Sequence, residues 1–311
     1  MDSTDHAPVM LDETLDLLAP AARESAVPLF VDCTFGAGGL SRAILQRIPG
    51  SRVIALDADP HAVARAEALA LEYPRRVTPV HANFARLRDV LAELEMGGVS
   101  GIAYDLGLSS LQLADAARGF AFAGEGDLDM RLDPTSDAAT AAQLLATARE
   151  GEIADIIFEF GDERNARRIA REIVKRRERS PLRTTSDLVA AVLAAQPRNA
   201  RGRRGGIHPA TRTFLALRIA VNEDLDRLRQ SLQEAIACVK PGGRIVVISF
   251  HSGEDRVVKH QFAGWRRGGE AQTLTRKPLT PTQTEIAANP RSRSAKLRAV
   301  ERTRDALRRS A

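Results

Sequence analysis

A glycine-rich turn between a strand and a helix constrains this chain more than any other feature. The apolar run from Leu29 to Phe35 reads as a buried strand, and Asp32-Cys-Thr-Phe-Gly36-Ala-Gly38-Gly39 carries it into a turn. Leu40, Ile44 and Ile48 then recur at helical spacing until Pro49-Gly50 stops them. The alternation continues. Residues 52–57 form the next strand, and Pro60 suits the first turn of a helix over 60–72. Residues 77–81 form a third strand, whose Pro79 points to an edge or an irregularity, and residues 101–105 a fourth. Strands alternating with helices predict a doubly wound parallel α/β sheet.

The pattern breaks at about residue 114. Up to residue 208 there is helical periodicity without a convincing buried strand: Ile153, Ile156, Ile157 and Phe160 share one face, Ile169, Ile173 and Val174 another, and Leu188, Val192 and Leu193 a third. The α/β pattern then returns with Phe214, Leu217, Val221, Leu225, Leu228 and Leu232, spaced as one long amphipathic helix. A Lys240-Pro-Gly-Gly243 turn precedes a strand over 244–250, and segments near 273–276 and 294–301 suit a closing hairpin. The expected organisation is a first sheet part over residues 1–113, an inserted helical substrate-recognition domain over 114–208, and a second sheet part over 209–311.

Composition enters through charge. The formal net charge is only +5, but residues 1–159 carry −13 and the remainder +18. An acidic half followed by a basic half points to a polyanionic partner. Cys33 and Cys238 stand far apart without further Cys or His at ligand spacing. That argues against a disulfide framework or a metal site and for a reducing compartment. The polar amino-terminal residues and the absence of a long apolar run predict a cytoplasmic, non-membrane protein. Oligomeric state is not legible.

A lone Gly-x-Gly is equally a tight turn with no ligand. Here it has company: Asp57 ends the second strand 19 residues after Gly38, where an acid can accept bonds from both ribose hydroxyls. The dinucleotide fingerprint wants a third glycine where this chain has Ser41, and Asp32 would face a pyrophosphate as a like charge. An acid there suits a cofactor with an ammonium and a sulfonium, which favours S-adenosylmethionine. Asp32, Gly36, Gly38, Gly39 and Asp57 are the candidate contacts. After the fourth strand, Asp105-Leu-Gly-Leu-Ser-Ser-Leu-Gln112 offers Asp105, Ser109 and Ser110 as acceptors for the hydrogens of an attacking amine. A capped strand-to-loop turn is the competing reading of those residues.

At this point the motifs resemble one family, the MraW or ribosomal RNA small subunit methyltransferase H family of bacteria. The likeness runs almost end to end, through His6 to Glu13, Asp32 to Gly39, Asp105 to Gln112, Arg118 to Phe122, Leu128 to Asp133, Phe160 to Arg164, His208 to Phe214, Ser249 to Arg256 and Asn289 to Arg298. The resemblance implies a Rossmann-like (class I) methyltransferase sheet with an inserted helical domain. It also implies methyl transfer from S-adenosylmethionine to N4 of a cytidine in 16S rRNA near the decoding centre. It places cofactor contacts on Gly38, Gly39, Leu40, Asp57, Phe84, Asp105 and Gln112. The chain departs from the family pattern at Leu40, Leu111, Leu215 and Gly253, where the family usually has His, Pro, Gln and Leu. Leu40 leaves a contact through its backbone amide only.

His208, Arg212, Asn222, His251, Glu254, Asp255 and Arg256 are candidate substrate contacts. All but His251 have a structural alternative: a helix cap for His208, fold-stabilising bonds for Arg212 and Asn222, and a simple pairing of Glu254 and Asp255 with Arg256. Basic residues fall in two sets. Arg164, Arg167, Arg168, Arg171, Lys175, Arg176, Arg177 and Arg179 lie on expected helix, where a solvated face is the plain alternative. Arg198, Arg201, Arg203 and Arg204 lie in a glycine-flanked loop suited to phosphates. Aromatic content of 4% argues against a base-stacking platform, so recognition of 16S rRNA or the small subunit should rest on phosphates and RNA shape, with one base turned into the pocket. A nicotinamide-dependent oxidoreductase and a non-catalytic RNA-binding factor are the competing function classes.

Overall fold

The computed structural model describes residues 8–122, 125–196 and 208–304. They form two compact units: residues 1–107 with 225–311, and residues 108–224.

The first unit is built on a seven-stranded sheet. Its strands are β1 (Leu29–Asp32), β2 (Arg52–Asp57), β3 (Val77–His81), β4 (Val99–Asp105), β5 (Val239–Ser249), β6 (Ala271–Thr273) and β7 (Lys296–Arg302). Their order is β3-β2-β1-β4-β5-β7-β6. β1 to β5 run parallel, whereas β7 pairs antiparallel with both β5 and β6. Pro79 is accommodated because β3 is an edge strand that pairs only with β2. The Lys240-Pro-Gly-Gly243 turn is an irregularity inside β5, where the register against β4 shifts.

Both sheet faces are covered, which is why the central strands read as unbroken apolar runs. On one face Phe30 and Val53 pack with Leu40, Ile44, Ala62 and Leu69 from the helices Gly39–Arg47 and Pro60–Glu72. On the other, Val31, Ile102 and Val247 pack with Leu228, Leu232, Phe262 and Trp265 from the helices Asp224–Cys238 and Ser252–Gly268. Trp265 is a buried anchor stacked on Phe262 at 5.4 Å between ring centroids.

The second unit holds the helices Ser110–Ala114, Ala141–Thr147, Glu150–Gly161, Ala166–Arg177, Thr185–Ala195 and Thr211–Asn222. Ile153, Ile157, Ile169, Ile173, Leu188, Val192, Phe214 and Leu217 fill its core. Glycine is required at one contact: a Cβ on Gly161 would lie 2.5 Å from the Arg212 carbonyl oxygen.

Two sequence expectations fail here. The long helix is two helices, because Glu223 adopts φ 53° and ends the first before Asp224 starts the second. A side chain in the left-handed region breaks the backbone ladder while leaving the apolar spacing intact, so periodicity does not reveal it. The unit boundaries also differ. The second unit runs over 108–224 instead of 114–208, since the helix Thr211–Asn222 buries Phe214 and Leu217 in the helical core. No helix among the described residues is long and apolar enough to cross a membrane.

Candidate functional site

The strand order reverses between β1 and β4, since the chain runs outward to β2 and β3 on one side and to β5 on the other. Ligands of open α/β sheets bind outside the strand carboxyl ends at such a point. Three aspartates end the three strands there: Asp32 on β1, Asp57 on β2 and Asp105 on β4.

The glycine turn is tied to all three strands. Cys33 N donates to the Ala103 carbonyl at 2.9 Å and Phe35 N to that of Leu56 at 3.1 Å. Gly36 N donates to Asp57 Oδ2 at 2.8 Å, and Asp105 N donates to Thr34 Oγ1 at 2.7 Å. Gly38 has φ 85°, and a Cβ there would lie 2.5 Å from the Phe35 ring. On Gly39 a Cβ would lie 2.5 Å from Pro8. The bare backbone therefore leads into the helix Gly39–Arg47, which has no side-chain cap; the Ser41 N–H of its first turn serves Asp32, and those of Gly39 and Leu40 are suited to an anionic group. Leu40 sits in that first turn with its side chain buried in the core, so only its backbone can reach a ligand.

The carboxylates are unequally supplied with donors. Asp57 accepts from Gly36 N and from Asp59 N at 2.9 Å, and burial raises its pKa above the ordinary carboxylate range. Two accepted bonds leave lone pairs over for a ligand's hydroxyls. Asp32 is fully buried and accepts from Ser41 Oγ at 2.7 Å and Thr34 N at 3.3 Å. Burial pushes it up to about 6, with the Ser41 bond opposing. Asp105 is the extreme case. Its Oδ1 is buried without a hydrogen-bond partner, and burial, aided by the charges of Asp32 and Glu254, pushes it up to about 8. Buried carboxylates short of donors need a cation or a proton. A group bearing an ammonium and a sulfonium fits this set, and a pyrophosphate does not. Ser41, absent from the dinucleotide pattern, is here the main donor to Asp32.

Phe84 follows β3, half-buried and edge-on to Tyr104 at 5.9 Å, beside the β2 end that carries Asp57. His251 and Glu254 come from the end of β5. Glu254 is buried and accepts from Phe250 N at 2.8 Å and His251 N at 3.3 Å. His251 Nδ1 accepts from Gly253 N at 3.2 Å, and its Nε2 lies 3.0 Å from Glu254 Oε1, out of line for a hydrogen bond. Glu254 thus holds the turn after β5 and not Arg256, which is exposed. Asp255 does not hold Arg256 either: it accepts from Arg298 Nε at 2.7 Å and Lys296 Nζ at 3.2 Å on β7. Although burial opposes it, those two cations keep its pKa below the usual range.

In the helical unit several candidates have structural work. Ser109 caps the helix Ser110–Ala114, its Oγ accepting from Gln112 N at 3.2 Å while Gln112 Oε1 accepts from Ser109 N at 2.9 Å. This reciprocal box is the capped turn that the sequence left open. Ser110 begins the same helix. Asn222 accepts from Leu132 N at 2.7 Å and donates to the carbonyls of Met130 and Arg218 at 2.8 and 2.9 Å. Arg212 donates to the Asp162 carbonyl at 2.7 Å. His208 accepts from Ala210 N at 3.2 Å and stacks on Phe122 at 4.5 Å between centroids. Arg198, Arg201, Arg203 and Arg204 lie outside the described residues.

Sequence reasoning missed Thr34 and Arg65. Thr34 joins Asp32 to Asp105, and Arg65 Nε donates to the Gly36 carbonyl at 3.0 Å. Thr34 stood in the glycine motif and its hydroxyl was a legible signal; nothing local marked Arg65. Among the described residues no group of three His, Cys, Asp or Glu side chains is arranged to hold a metal ion.

Comparison with known proteins adds independent findings. The family model described as the MraW methylase family matches residues 3–303. A protein of Bradyrhizobium diazoefficiens named Ribosomal RNA small subunit methyltransferase H is 46% identical over 320 residues, covering 97% of this chain and 93% of its own. One of the same name from Thermomicrobium roseum is 47% identical, with 96% and 94% covered. Among solved structures, an rRNA methylase from Streptococcus thermophilus is similar at a TM-score of 0.43 and 9% identity, with 94% of each chain covered.

Proposed function

Because the chain belongs to the MraW methylase family, we propose that it transfers the methyl group of S-adenosylmethionine to the exocyclic N4 of a cytidine in 16S rRNA near the decoding centre. The observation that carries the reading is the convergence of Asp32, Asp57 and Asp105 on the glycine turn at the reversal of strand order, with Asp105 Oδ1 lacking a donor. The relatives' shared name supports small-subunit rRNA as substrate, and the motif resemblance supports N4 of cytidine.

The cofactor, when bound, supplies a methyl group on a positively charged sulfur. The residues do the rest. Asp57 would accept bonds from the cofactor's ribose hydroxyls, Phe84 would pack beside its base, the N–H groups of Gly39 and Leu40 would hold its carboxylate, and Asp32 would hold its ammonium. Asp105, buried with an oxygen that has no donor, has a raised affinity for a proton. Its Oδ1 therefore accepts a hydrogen of the attacking amine and keeps the proton after transfer. The insertion is the RNA-recognition part in this reading.

The test is transfer of tritium from labelled S-adenosylmethionine to small subunits lacking the modification. Label is expected in N4-methylcytidine on digestion; label elsewhere, or none, overturns the reading.

A further inference from the structure

The helical unit uses many of its arginines internally. Arg118 donates to the carbonyls of Arg131 and Leu132, Arg177 to those of Leu145 and Ala148, and Arg131 and Arg218 pair with Asp129 and Asp224. The helix Ala166–Arg177 is different. Ala166, Ile169, Ala170 and Ile173 bury one side of it. On the other, Arg167, Arg168, Arg171 and Lys175 are exposed, and exposed Arg164 and Arg179 stand in the turns at either end. Arg171 lies 3.7 Å from Glu150, and the side chains of the other five have no charged or hydrogen-bonding partner among the described residues.

Arg168, Arg171 and Lys175 follow one another at spacings of three and four, so they form a row about 10 Å long on one helix face. Like charges at those spacings destabilise a helix on its own. The row ends in a shallow depression of about 370 Å³, lined by Lys175, Arg176, Arg179 and Ser180. Glu172 and Asp187 also line it, but Glu172 is engaged by Arg176 at 2.9 Å and Asp187 accepts from Arg183 N and Thr184 N at 2.9 Å each. Pro181 and Leu182 complete the lining of the depression, but the row itself presents only cationic side chains, which suit the phosphates of a nucleic-acid backbone.

We propose that the face carrying Arg168, Arg171, Lys175 and Arg179 is a phosphate-binding surface that grips the backbone of the substrate RNA, independently of the glycine-flanked Arg201 loop. The assignment rests on the RNA-methylating reading above and adds where the RNA is held. Each phosphate contact contributes about 0.7–0.9 to the slope of log affinity against log salt.

The experiment compares wild type with Arg168→Gln/Arg171→Gln/Lys175→Gln/Arg179→Gln by fluorescence anisotropy on a 16S rRNA transcript between 50 and 200 mM salt. A control, Arg266→Gln/Arg267→Gln/Arg276→Gln/Lys277→Gln, removes the same charge from exposed positions of the sheet unit. At 200 mM salt the first variant is expected to bind about tenfold more weakly, with the difference widening toward 50 mM as the slope flattens by roughly 3. Its circular dichroism and calorimetric affinity for S-adenosylhomocysteine should match wild type, excluding a folding defect. A slope equal to wild type, or an equal loss in the control, overturns the proposal. Wild-type protein with no salt-dependent affinity for the transcript overturns both this surface and the RNA reading, whereas an affected variant beside wild type that binds RNA but deposits no methyl group sinks the reading alone.

Discussion

In the sheet unit, three aspartates end adjacent strands and are left short of donors, down to an Asp105 oxygen with none. In the helical unit, Arg118 and Asn222 donate to the loop carbonyls of Leu132 and Met130, and Arg177 to the carbonyls of Leu145 and Ala148 at the end of a helix. The contrast teaches what each buried polar group is for. One set is held in an environment that raises its energy until a ligand arrives. The other is satisfied already and stabilises the loops between helices.

The hardest test of that contrast is Asp105→Asn. If the unsatisfied carboxylate is the proton acceptor, methyl transfer should fall about 10³-fold with the fold intact, measured as single-turnover rate on small subunits. Stability should move the other way. A carboxyl held near pH 8 when folded, against an ordinary unfolded value, imposes a penalty that grows as pH rises from about 4 and is complete above about 8. The variant should therefore be more stable than wild type at pH 8, by on the order of 1–3 kcal/mol, and the gap should close toward pH 4. Equal denaturation midpoints at pH 8 would show that Asp105 is not strained.

Asn222→Ala probes the other side. It strips partners from Leu132 N and the Met130 carbonyl and should cost about 2–4 kcal/mol in chemical denaturation. A full-strength fold with a raised KM would instead assign Asn222 to substrate. The smallest effect is expected from Ser41→Ala. Losing the main donor to Asp32 should raise that carboxyl further and weaken cofactor affinity severalfold, about 1 kcal/mol by calorimetry, with the change largest near pH 6.

The same contrast explains what was legible in the sequence. The glycine turn, Asp32 and Asp57 are legible because strand, turn and helix are local and each constrains the next residue type. The helix Pro60–Glu72 and strand Val77–His81 fall on the residues expected of them. The partners of Asp255 were not legible, lying 41 and 43 residues away on a strand that only the folded sheet brings alongside. Nor were the roles of Arg118 and Arg177, whose acceptors are backbone carbonyls and leave no side-chain signature. Glu223 shows the limit of periodicity, since one residue in the left-handed region reorganises two helices without moving an apolar position out of phase.

β7 carries a consequence for how the molecule assembles. Seventh in chain order, it lies inside the sheet between β5 and β6, and among the described residues β6 pairs with no other strand. Through Lys296 and Arg298 it also grips Asp255, next to the Glu254 that shapes the turn after β5. A chain emerging from its own ribosome has β1 to β5 long before β7, and so folds toward a sheet whose outer part must wait. Completion of the sheet and final setting of the His251–Glu254 corner are then expected to be one late, long-range event that follows collapse of the core.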